Sequence, residues 1–123
     1  MAHAALHVAV GMAAGMALTA RRTLRACRTR QHVAAHLRAW VGVAWLLGGF
    51  ALVPSMLRHA GLPAWVCEGW WMNLFGLHPL LNRLVPGGQI VGPAALLTCL
   101  AVQYLALLAA LVWLRRARTP PRP

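Results

Sequence analysis

The sequence predicts an all-α integral membrane protein with three transmembrane helices, and two observations carry that reading. Of its 123 residues 60% are hydrophobic and only 11% charged, whereas about a quarter of a soluble domain is charged. The charges are also segregated: residues 2–20, 39–57 and 84–114 contain none. A helix rises about 1.5 Å per residue and the hydrocarbon core is about 30 Å thick, so roughly 20 apolar residues make one crossing. Spans are therefore expected at 2–20, 39–57 and 93–114, separated by a basic loop (21–38) and an outer cap (58–92) and followed by a basic tail (115–123).

The first span opens MAHA, without a positive charge. Its arginines follow the apolar stretch, and Leu18 fits poorly at the −3 position before Ala20. A cleaved signal peptide has the opposite pattern, so the span is expected to be retained. Next comes RRTLRACRTRQHVAAHLR, with Arg21, Arg22, Arg25, Arg28, Arg30 and Arg38; the tail carries Arg115, Arg116, Arg118 and Arg122. Three spans put both groups on one side, which the positive-inside rule makes the cytoplasm, with the N-terminus and the cap outside. Anionic headgroups attract such charges by about 1 kcal/mol each, so membrane anchoring accounts for the loop. His32 and His36 lie one turn apart, but two imidazoles alone make a weak metal site. Nucleic acid is disfavoured as a partner, because no aromatic interleaves the arginines and no module is present. All twelve basic residues are arginine, which fits a GC-rich bacterial genome and an inner-membrane location.

In the second span Pro54 is expected to kink the outer end. The cap holds LPAWVCEGWWMNLFGLHP (62–79), with three of the six tryptophans and the only acid, Glu68. Drawn as a helix, Glu68, Gly69, Asn73 and Gly76 share one arc, and Val66, Trp70, Trp71, Leu74, Phe75 and Leu77 fill the other. That is an amphipathic helix lying in the outer interface, with its indoles at headgroup level. Glu68 would face water or a local cation, Arg58, Arg83, His59 or His78. Reading 64–85 as a fourth span would bury Glu68, Asn73, His78, Asn82 and Arg83, and is disfavoured. Two chemical readings attach to the cap: an acid/base pair of Glu68 with His78, and a metal site of Cys67, His59 and His78 whose spacing fits no zinc pattern. The third span begins at Pro93, which suits a first helical turn.

Each span has a stripe of small residues of the kind that lets helices approach in lipid. These are Gly11 and Gly15 with Ala4 and Ala14; Ala44, Gly48, Ala51 and Ser55; and Ala95, Cys99, Val102 and Ala106. A three-helix bundle follows, with Leu46, Phe50, Val53 and Leu57, and Leu100, Tyr104, Leu107 and Leu111, facing outward. On the first span Ala5, Ala9 and Ala13 are expected to be an exposed, thinly apolar face that a partner would cover. The span centres fall near Gly11, Gly48 and Gln103. His3, His7, Ser55, Thr98 and Cys99 then gather in the outer half, where they would hydrogen-bond one another and fix the packing, or hold haem, a metal or a quinone.

Several classes are disfavoured. Haem usually needs an axial imidazole, and the second and third spans have none. Met12 and Met16 lie on the face opposite His7, so they suit packing or lipid contact and not a copper cluster. The spans contain no Asp, Glu, Lys or Arg, the groups that usually mark ion pathways. Walker, HExxH and nucleophile-elbow motifs are missing. Cys27, Cys67 and Cys99 fall at three different levels, which precludes an intrachain disulfide.

The expected function is thus a non-catalytic packing or assembly subunit, bathed in membrane lipids and joined to a membrane-protein partner or to copies of itself. A redox or ligand-binding subunit using His3, His7, Cys99 and Gln103 is the first alternative. The second is a small lipid-handling enzyme using Glu68 and His78.

Overall fold

A computed structural model describes residues 2–67, 69–75, 80 and 90–118. Among the described residues five α-helices and one 3-10 helix follow one another: α1 (Ala2–Thr29), α2 (Val33–Phe50), α3 (Val53–His59), α4 (Ala64–Cys67), the 3-10 turn η1 (Trp70–Leu74) and α5 (Val91–Arg118). No strand occurs among the described residues. Three segments are long and apolar enough to cross a membrane, Ala4–Thr29, Val33–His59 and Val91–Arg116. Among the described residues the chain is all-helical, with three candidate spans.

At the arginine-rich end the helices run further than the apolar stretches. α1 continues to Thr29 and α2 starts at Val33, so most of the expected loop 21–38 is helical. Arginine, alanine and leucine are strong helix formers, and the segment contains no glycine or proline. The reversal is confined to residues 30–32, where Arg30 (φ 57°) and His32 (φ 50°) take the left-handed conformation. The His36 amide then donates to the His32 carbonyl at 3.1 Å, which starts α2.

The second span is interrupted where proline requires it. α2 stops at Phe50 and α3 restarts at Val53, with Pro54 in its first turn. Proline has no N–H for a bond to residue 50, and its ring crowds that carbonyl. The Leu52 amide turns back to Gly49 at 3.0 Å, a tightened i−3 bond.

Between Pro63 and Pro79 the described residues form two short pieces instead of one amphipathic helix. α4 and η1 are separated at Gly69, whose backbone is extended (φ −61°, ψ 148°). Trp65, Trp70, Trp71 and Leu74 are exposed, while Cys67 and Met72 are buried. Phe75 stacks on Phe50 with ring centroids 4.6 Å apart, which fastens the cap to the end of α2.

α1 is the hub. Against α2, a Cβ on Gly15 would lie 2.6 Å from Ala44 Cα, and one on Gly11 would lie 2.9 Å from Gly48 Cα and strike the Leu47 carbonyl. Only glycine permits that approach. Met12 fills the neighbouring space and is fully buried against Gly48. Against α5, the Cys99 thiol donates to the Ala9 carbonyl at 3.5 Å, and Arg30 lies over the Trp113 ring. These two contacts, near opposite ends, make α5 parallel to α1, so both arginine groups lie at the same end of the helix group. α2 and α5 have little direct contact with each other, unlike a bundle in which every span meets the other two. The expected exposed face of α1 is corrected at Ala9, which is 2% exposed because α5 docks there; Ala13 is exposed and Ala5 half-buried.

Candidate functional site

The polar residues of the spans do not converge. His7 is fully buried, but it lies about 160° around α1 from Ala9, where α5 docks through Cys99. The thiol of Cys99 goes to the Ala9 carbonyl, and Gln103 buries its Nε2 without a partner among the described residues. Neither bonds to His7. Thr98 donates to its own helix at Ala94 (2.9 Å), as Thr19 does to Gly15 (2.8 Å) and Thr23 to Thr19 (3.0 Å). These hydroxyls are satisfied locally and do not tie one span to another. Ser55 is half-buried in α3. The side chain of His3 lies outside the described residues.

At the cap, Arg58 and His59 are exposed and Cys67 is buried. Glu68, His78 and Arg83 lie outside the described residues, so the acid/base pair and the Cys67, His59, His78 set fall there too. Among the described residues no three His, Cys, Asp or Glu side chains come close enough to hold a metal. Of the small-residue positions, Gly11, Gly15, Ala44 and Gly48 form the α1–α2 contact. Ala106 faces a cleft instead.

That cleft, about 590 Å³, opens between α1, α2 and α5 at the arginine-rich end. Its almost wholly apolar lining includes Thr23, Cys27, Trp40, Ala106, Ala110 and Trp113. It exists because α2 and α5 both pack on α1 but scarcely on each other, and because α5 offers alanines where larger side chains would close the gap. Trp40 holds one wall, its indole Nε1 donating to the Met16 carbonyl at 3.1 Å across the helix pair. A second cavity of about 380 Å³ adjoins it, lined by Arg21, Leu24, Arg25, Arg28 and Thr29. Leu24 and Arg28 line both.

Sequence reasoning passed over Trp40 and this cleft. A buried indole N–H usually finds an acceptor, and that signal pointed to Trp40.

No family model, curated protein or solved structure matches the chain.

The outward face of α5 also matters. Leu97, Tyr104, Leu108 and Leu111 fall within about 60° of one another around the helix, and all are exposed. Tyr104 sits at the middle of α5, is 65% exposed, and makes no hydrogen bond among the described residues.

Proposed function

We propose that the chain is a non-catalytic packing or assembly subunit of a larger complex in the bacterial inner membrane, its N-terminus outside and its arginine-rich end in the cytoplasm. The orientation rests on the positive-inside rule, applied to two arginine groups at one end of the helix group. The assembly role rests on Tyr104. Its phenol is at mid-span on an open face, and a hydroxyl moved into hydrocarbon without a hydrogen bond costs roughly 2–7 kcal/mol. Tyrosine ordinarily avoids that cost by sitting at the interface. A partner helix with a carbonyl or hydroxyl opposite Tyr104 removes it, and the flanking leucines supply the packing surface.

The test is a benzophenone-bearing residue placed at position 104, with a control at the exposed Leu18 of α1, both irradiated in native membranes. A discrete protein adduct is expected from position 104 and not from position 18. Lipid adducts alone at position 104 would remove the reading.

A further inference from the structure

We infer that the cleft between α1, α2 and α5, with the arginine-lined cavity beside it, is a binding site for one anionic phospholipid of the leaflet at the arginine-rich end. Its acyl chain lies in the apolar cleft and its phosphate against Arg25 and Arg28.

Volume, adjacency and charge support this assignment. The cleft volume of about 590 Å³ is typical of a site for a single small molecule, about 300–1,000 Å³. The apolar cleft and the cationic cavity adjoin, with Leu24 and Arg28 in the linings of both. A ligand filling the pair is therefore an amphiphile whose head is anionic. Free phosphate would use only the cavity and leave the cleft without an occupant.

Charge complementarity completes the argument. The chain carries a net charge of +11, and its one acidic side chain, Glu68, belongs to the cap. Arg21, Arg25 and Arg28 lie on one face of α1 and have no ion-pair partner among the described residues. Guanidinium groups suit phosphate, since their forked donors bind its oxygens in pairs. The first arginine follows directly on the apolar stretch, which sets these side chains near headgroup depth.

Native mass spectrometry of the full chain in detergent provides the test. Offered phosphatidylglycerol and phosphatidylcholine with matched acyl chains, the chain should retain one phosphatidylglycerol with a preference of about tenfold or more. Arg25→Gln with Arg28→Gln should abolish the preference. Ala106→Phe with Ala110→Phe should fill the cleft and abolish retention of both lipids. Cys27 supplies a second readout in a Cys67→Ala, Cys99→Ala background, where phosphatidylglycerol, but not phosphatidylcholine, should slow its alkylation by N-ethylmaleimide several-fold. Equal retention of the two lipids by the native chain overturns the assignment, as does retention that survives the filled cleft. Should the filled variant lose its helicity, Cys27 decides, and an alkylation rate indifferent to phosphatidylglycerol counts against the site.

Discussion

The guanidinium carbon of Arg30 lies 5.0 Å from the centroid of the Trp113 ring. This contact joins the turn after α1 to the last turns of α5, two segments far apart in sequence. A cation over an indole contributes about 0.5–1 kcal/mol at an exposed site, so its importance is less in energy than in position. It sets the two arginine groups side by side, which an odd number of crossings between them could not do.

Topology is therefore testable at single cysteines. Cys67 is buried and would report poorly, so Trp70→Cys, at one of the most exposed positions of the cap, is the better outer probe. In intact spheroplasts an impermeant thiol reagent should label Trp70→Cys at once and reach Cys27 only after the membrane is opened. Labelling of Cys27 from outside would reverse the orientation.

The glycines should divide into two groups. Adding a methyl at Gly11 or Gly15 drives it into the α2 backbone, and overpacking of that kind costs about 1–3 kcal/mol. At Gly42 and Gly49 nothing lies within 4 Å of an added Cβ, and alanine there should stabilise the helix by about 0.5–1 kcal/mol. Unfolding titrations in mixed micelles would compare the four alanine variants, and similar effects in both groups would contradict the packing described.

Trp40→Phe keeps most of the ring and removes the bond to the Met16 carbonyl. A loss of about 1 kcal/mol is expected, together with faster alkylation of Cys27 as the cleft wall loosens. A variant as stable as the parent, with unchanged alkylation, would show that the indole N–H contributes nothing.

Gln103→Leu should have the opposite sign. The carboxamide Nε2 is buried without a partner among the described residues, and an unsatisfied buried donor costs about 1–3 kcal/mol. An apolar side chain of similar size should therefore raise stability in the same titration. A fall in stability would reveal an acceptor bound at Gln103.

The three spans could be read from the sequence because a crossing needs length and lack of charge, and both are visible residue by residue. Pro54 was legible for a similar reason, since the missing N–H acts on its own helix. The face of α1 that α5 covers was not. The face carrying Ala9 looks as apolar as any other, and periodicity does not say which neighbour covers it. His7, Cys99 and Gln103 share a band of depth, yet depth is only one coordinate; the other is rotation about each helix, and His7 points away from α5. The cleft depends on α5 meeting α1 without meeting α2, and no local pattern encodes that. At the arginine-rich end, absence of apolar character suggested a loop, although helix propensity there favoured α1 and α2 running on.

A turn of only three residues separates α1 from α2, and this bears on how the chain is made. The bond from Trp40 to Met16 closes across 24 residues, whereas that from Cys99 to Ala9 closes across 90. Shorter closures cost less entropy and form earlier. During synthesis the α1–α2 hairpin is therefore expected to pack while α5 is still being translated. For that interval the Ala9 face of α1 is open to lipid or to the insertion machinery, and the helix that arrives last both covers it and completes the cleft.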